Sequence, residues 1–129
     1  MIGYVTLGTN NLQDAAAFYD KLLAPIGAGR IMDNETFIAW ATDMDSPGIS
    51  VTKPNDGNAA TVGNGVMVAL EVSSPGKVDE IYNKAMELGG SDEGAPGERM
   101  PGFYAGYFRD LDGNKLNAYF IDPTKMEMG

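Results

Sequence analysis

The chain contains one structural unit twice, and this duplication constrains its fold more than any other feature. Val5-Thr6-Leu7 opens a β-rich run that leads through Asn11 into a helical stretch carrying Tyr19, Lys21 and Gly27; 63 positions on, Val68-Ala69-Leu70 starts the same course and reaches Tyr82, Lys84 and Gly90. Self-similarity at such a period marks a duplicated supersecondary unit. At 129 residues, 43% of them hydrophobic, the chain is expected to form one domain over 1–129, with units at about 1–53 and 65–121 sharing a core. The polar segment 54–64, with Pro54, Gly57 and Gly63, reads as the linker.

Local patterns give each unit the same order. Ile2 to Leu7 alternates as a strand, Asn10-Asn11 offers an N-cap, and Leu12, Ala15, Ala16, Tyr19, Leu22 and Leu23 recur on one helical face until Pro25 and Gly27 stop it. Three β-like runs follow: Gly29 to Met32, Thr36 to Ala41 and Ile49 to Thr52. In the second unit Val66 to Val72 is a strand, Ser74-Pro75 caps a helix whose apolar face is Val78, Ile81, Tyr82, Ala85 and Leu88, and Gly89-Gly90 ends it. Phe103 to Arg109 and Lys115 to Ile121 then read as a hairpin around Asp112-Gly113. An offset of 67 lays Phe37-Ile38-Ala39-Trp40 on Tyr104-Ala105-Gly106-Tyr107, and Ser50 on Asn117. The fold class is therefore α+β, built from two βαβββ units. The tail from Asp122 is charged and is expected to be loosely held.

Composition excludes several classes of function. A net charge of −9 with scattered Lys and Arg opposes nucleic acid and anionic membrane surfaces. No apolar run approaches the roughly 18 residues of a membrane span. Zero cysteines and an opening Met1-Ile2-Gly3-Tyr4 that enters a strand pattern directly lead us to expect a cytoplasmic protein. Without His or Cys, a Ser-His or Cys-His nucleophile is impossible. The run Asp110-Leu111-Asp112-Gly113-Asn114 is no calcium loop, since Gly113 comes too early and Ile121 stands where Glu is needed. Gly57 to Gly65 lacks the Gly-Lys-Ser/Thr ending of a phosphate-binding loop.

Two βαβββ units, the opening Ile2-Gly3-Tyr4-Val5-Thr6-Leu7, the helix Phe18-Tyr19-Asp20-Lys21-Leu22-Leu23 and the late Phe108-Arg109-Asp110-Leu111-Asp112-Gly113-Asn114 resemble the vicinal oxygen chelate superfamily. That group includes glyoxalase I, bleomycin-resistance proteins, fosfomycin-resistance enzymes and extradiol dioxygenases. The resemblance implies a curled mixed sheet with helices on its outer face, enclosing a ligand cup, and commonly a homodimer. In metal-dependent members four side chains hold a divalent cation in the cup, and the matching positions here are Tyr4, Ser50, Met67 and Asn117. This quartet has no imidazole, thiolate or carboxylate, so neither a metal nor another cofactor is expected.

The resemblance thus points to non-covalent binding of a small organic molecule, with Tyr4, Trp40, Ser50, Met67, Tyr107, Arg109 and Asn117 as the candidate ligand-binding residues. Two alternatives stand beside it: an enzyme of the glyoxalase-like kind acting without the usual metal, and a structural or regulatory module whose cup is self-filled. Tyr4 is as readily a core tyrosine as a ligand contact, and Met67 more often fills space. Trp40 and Tyr107 either line the cup or pack between sheet and helix. Arg109 falls on the Tyr107 face, where it engages a carboxylate ligand or, the safer reading, pairs with Asp43 or Asp110. An interior Asn117 needs a hydrogen-bonding partner. Glu98-Arg99 and Met100-Pro101-Gly102 read as a loop that could cover the cup.

Overall fold

The computed structural model describes residues 1–126. Its elements are β1 (Tyr4–Gly8), α1 (Leu12–Leu23), a 3-10 turn (Ala24–Ile26), β2 (Gly29–Asp33), β3 (Phe37–Ala41), β4 (Gly48–Thr52), β5 (Val68–Glu71), α2 (Pro75–Glu87), β6 (Ser91–Met100), β7 (Phe103–Arg109) and β8 (Lys115–Ile121). Both helices begin where the sequence supplies caps. The Asn11 side chain accepts the Asp14 N–H at 3.0 Å, and the Ser74 hydroxyl accepts that of Lys77 at 3.1 Å, each satisfying a donor the helix leaves open. Gly27 closes the first helical segment in the left-handed conformation, φ 80°, a geometry that costs glycine nothing.

Two four-stranded mixed sheets result, in the orders β1-β4-β3-β2 and β5-β8-β7-β6. The first strand of each unit runs parallel to the last, and the other pairings are antiparallel. Helix α1 packs on β2, β3 and β4, helix α2 packs on β6, β7 and β8, and the two helices touch each other. One face of each sheet is therefore core: Leu7, Ile38, Trp40, Ile49 and Val51 meet Phe18, Tyr19, Leu22 and Leu23, while Phe108, Leu116 and Ala118 meet Val78, Ile81 and Ala85. This is the α+β architecture of two βαβββ units. No helix among the described residues is long and apolar enough to cross a membrane.

Strand β6 was not foreseen; its Ser91–Met100 stretch lacks alternation because Gly94, Pro96 and Gly97 interrupt it. The strand survives as a sheet edge, where proline is tolerated, and its pairing with β7 shifts register three times. Register also corrects the expected equivalence of Trp40 and Tyr107. Pairings Thr6↔Ser50 and Ala69↔Asn117 support the offset of 67 for the last strands, but Ala39↔Ser50 and Tyr107↔Asn117 make Ala39 the counterpart of Tyr107. Trp40 corresponds to Phe108, and both are buried on the helix side. A slip of one residue exchanges the faces of a strand. Beyond Ile121, the Asp122 N–H bonds the Gly102 carbonyl at 2.8 Å, so the start of the tail is tied to the β6–β7 turn; residues 127–129 lie outside the described part.

The units are joined at the turn between β7 and β8. The Tyr19 hydroxyl donates to Asp110 Oδ2 at 2.6 Å, the Asn10 N–H to Asp112 Oδ1 at 2.9 Å, and Asn114 Nδ2 to the Gly8 carbonyl at 3.0 Å. Burial, and then the Asp110 carboxylate, raise the Tyr19 phenol well above its ordinary pKa of 10.0. Stability from this protonated phenol is fully present below that ordinary value and is lost as pH rises toward the folded one. Replacing Tyr19 by Phe is expected to cost about 1–3 kcal/mol in denaturant unfolding at neutral pH. It should also lessen the fall in stability as pH rises above about 10; an unchanged alkaline slope there would argue against the assignment.

Candidate functional site

Alternation decides which side chains face away from the helices. On the first sheet these are Tyr4, Thr6, Ala39 and Ser50, and on the second Ala69, Ala105, Tyr107, Arg109, Lys115 and Asn117. The two faces are not alike. On the first, the buried Ser50 hydroxyl donates to the Val5 carbonyl at 2.9 Å and meets the Thr6 hydroxyl at 2.8 Å, so its hydrogen bonding is complete within the protein. Tyr4 is exposed, with its ring edge-on to Phe37 at 6.2 Å.

On the second face Asn117 is 2% exposed, and its Oδ1 has no hydrogen-bond partner. Leaving such an acceptor unpaired costs about 1–3 kcal/mol, so this position suits a hydrogen-bond donor from outside the chain, either water or a ligand group. Tyr107 lies directly across the ladder. Over its ring stand the Arg99 guanidinium, 5.4 Å from the centroid, and Lys115 Nζ, 5.7 Å away. Arg109, opposite Lys115, pairs with neither Asp43 nor Asp110; it binds Glu93 and the Gly113 carbonyl, because β6 brings Glu93 alongside. That hydrogen bond holds the Glu93 carboxyl below the usual carboxylate range. Arg109 is thus paired within the protein, with Glu93 in place of the expected Asp43 or Asp110.

Trp40 lies elsewhere. Its indole is 1% exposed, packs against Tyr19 at 5.4 Å between centroids, and donates to Asp20 Oδ1 at 2.8 Å. The same carboxylate takes Arg30, whose hydrogen bonds lower its pKa first, Trp40 adding to them. Met67 precedes β5, half-exposed at the meeting of two grooves. The larger, of about 700 Å³, follows the open edges of β1 and β5 and is lined by apolar groups such as Ile2, Val5, Ile26 and Leu70. The smaller, about 480 Å³, lies between the loop 62–67 and the pair Arg109 and Lys115. Size favours the first; the second is bordered by Arg109 and Lys115, which share a strand face with Tyr107 and Asn117, although Asn117, Tyr107 and Arg99 do not themselves line it, and that face is the candidate site. Lys115 could have been found by its two-residue spacing from Asn117. Arg99 could not, because its strand was invisible.

Comparison with known proteins places this geometry. Residues 1–118 match the family described as the Glyoxalase/Bleomycin resistance protein/Dioxygenase superfamily. A glyoxalase/bleomycin resistance protein from Albidiferax ferrireducens T118 superposes with a TM-score of 0.85 at 32% identity, covering 92% of this chain and 97% of that one. A glyoxalase/bleomycin resistance protein/dioxygenase family enzyme from Burkholderia phytofirmans PsJN (TM-score 0.74, 17% identity, 93% and 98% covered) shares the fold. So does a glyoxalase-related enzyme from Fulvimarina pelagi (0.74, 21%, 95% and 88%). A search of curated proteins finds no match. The chain belongs to the glyoxalase/bleomycin resistance protein/dioxygenase superfamily.

The donors at the four positions inherited from metal-dependent relatives do not suit a divalent cation. Tyr4, Ser50, Met67 and Asn117 bring no imidazole, thiolate or carboxylate, and the Ser50 hydroxyl is already engaged. No cluster of three or more His, Cys, Asp or Glu able to hold a metal occurs among the described residues. If the Asn117 amide is retained for an occupant, Asn117→Leu should leave the unliganded protein as stable as before or raise it by about 1 kcal/mol, since it removes an unpaired acceptor. A loss above about 2 kcal/mol in urea unfolding would show that the amide is structural.

Proposed function

We propose that this chain binds a small organic molecule non-covalently, without a divalent cation, on the concave face of its second unit. The observation that carries this reading is the buried, unpaired Asn117 Oδ1 beside Tyr107. A self-filled cup would have satisfied it, as Thr6 satisfies Ser50 on the first face. Turnover has less support. Glu71 is the carboxylate that strand alternation puts on this face, and it receives the Tyr119 hydroxyl at 3.2 Å, while Glu93 is held by Arg109. No base near neutral pH is thereby offered to a substrate.

We also propose a homodimer. Among the described residues β1 and β5 each pair on one side only, and Ile2, Tyr4, Val66 and Met67 stand exposed beside those edges. Unpaired edges with apolar borders invite a partner. Sedimentation at micromolar concentration should give twice the chain's 13.7 kDa; a monomer mass would end the proposal. Elemental analysis of purified protein should find no stoichiometric zinc, nickel or iron, and a chelator should leave the melting temperature unchanged. For binding itself, a panel of neutral, anionic and cationic fragments should contain members that raise the melting temperature and lose that effect with Asn117→Leu. A panel that shifts nothing would leave the cup reading without support.

A further inference from the structure

Charge on the second face runs against the chain as a whole. The sequence carries 18 carboxylates against nine Lys and Arg, so a cation has every chance of an ion pair. Arg30, Lys77, Lys84 and Arg109 find one. Lys21, Lys53, Arg99, Lys115 and Lys125 do not among the described residues, and of these five Arg99 and Lys115 converge on the Tyr107 ring. Glu93 is within electrostatic reach of Lys115, but its carboxylate is bonded to Arg109.

The placement of Arg99 is built into the backbone. Its Nη2 donates to the Ala95 carbonyl at 2.6 Å, folding the side chain back along its own strand. That path exists because β6 is bare there: a Cβ on Gly97 would stand 2.9 Å from Arg99 Nη1, and one on Gly94 3.3 Å from Nη2. The two glycines and the bulges around them, which weaken β6 as a strand, make room for a guanidinium over Tyr107. Cation–π contact stabilises each charge without neutralising it. Two like charges at one ring, on a face with a buried acceptor, leave a place for one anion and one donor.

Resting on the binding reading above, we propose that the occupant is a small carboxylate bearing a hydroxyl or amine group: its anionic end lies between Arg99 and Lys115, and its donor reaches Asn117 Oδ1. Lys115 and Asn117 are two residues apart on one strand face, about 7 Å, a span that a 2-hydroxy acid and the flexible lysine stem can bridge. The apolar remainder would lie toward Val66 and Met67, which border the smaller groove with Lys115.

Mandelate, phenylacetate and mandelamide separate these elements, since the second lacks the hydroxyl and the third the charge. Calorimetric titration should show mandelate binding roughly tenfold or more tightly than either, weakening as salt rises from about 50 mM to about 300 mM. Arg99→Met and Lys115→Met should each weaken mandelate by roughly tenfold and leave mandelamide unchanged, and Asn117→Leu should abolish the preference for mandelate over phenylacetate. Equal affinity for mandelate and mandelamide overturns the anionic occupant while the binding reading stands. Unchanged mandelate affinity in both cation variants overturns it too. Failure of all three compounds and of the wider fragment panel to bind up to about 10 mM overturns both. The ligand comparison and its salt dependence need only the unaltered protein, so a variant that misfolds does not protect the proposal.

Discussion

The Asp110 carboxylate holds the molecule in its arrangement. At 5% exposure it accepts four donors: the Tyr19 hydroxyl and Asn114 Nδ2 on Oδ2, and the Asp112 and Asn114 N–H groups on Oδ1. A buried carboxylate without an adjacent cation has to be stabilised by such donors, or it could not be retained. Three of them come from the β7–β8 turn itself, and one comes from α1 in the other unit. Asp112 and Asn114, fixed by the same turn, then reach the Asn10 N–H and the Gly8 carbonyl. One hairpin turn thus sets where the first unit sits against the second. Positions of the β1 and β5 edges, and of the grooves beside them, follow from it.

Because each strand has one face on a helix, the position of every side chain depends on register to the single residue. The helices were legible: Asn11 and Ser74 cap where the sequence indicates, and the apolar face of α1 is the one its spacing predicts. The hairpin Phe103–Arg109 and Lys115–Ile121 matches its sequence pattern at both ends. One shift was not legible. The connection between β3 and β4 differs by one residue from that between β7 and β8, so an offset valid for Ser50 and Asn117 misplaces Trp40. Both Trp40 and Tyr107 are aromatic, and nothing in side-chain type distinguishes a residue packed on Tyr19 from one under two cations. Only the ladder does.

The site was half legible for a related reason. Tyr107 and Arg109 lie on a strongly patterned strand, so alternation puts them on one face, while Asn117 is indicated by the resemblance to metal-binding relatives. Arg99 lies on β6, where Gly94, Pro96 and Gly97 erase the strand signal. The residues that hide the strand are the ones that let Arg99 fold over Tyr107, since a side chain at 97 would collide with its guanidinium. Local sequence rules fail here because the backbone serves a side chain from its own strand. Pattern reading finds elements that pack well and misses those bent to position a charge.

That placement bears on what this fold can do without a cation. In metal-dependent relatives positive charge belongs at the floor of the cup, where it polarises an oxygen directly. Here the floor position is a neutral amide, and the positive charge comes from Arg99 and Lys115, which reach the same face from β6 and β8. A guanidinium and an ammonium orient an anion well, by hydrogen bonds and by charge. They do not activate a water as a bound metal does. Their charge is also partly exposed, so salt screens it. On the proposed reading the same architecture holds a ligand rather than polarising one, and that reading rests on Asn117, whose buried acceptor has no protein partner among the described residues and lies on the face that Arg99 and Lys115 reach.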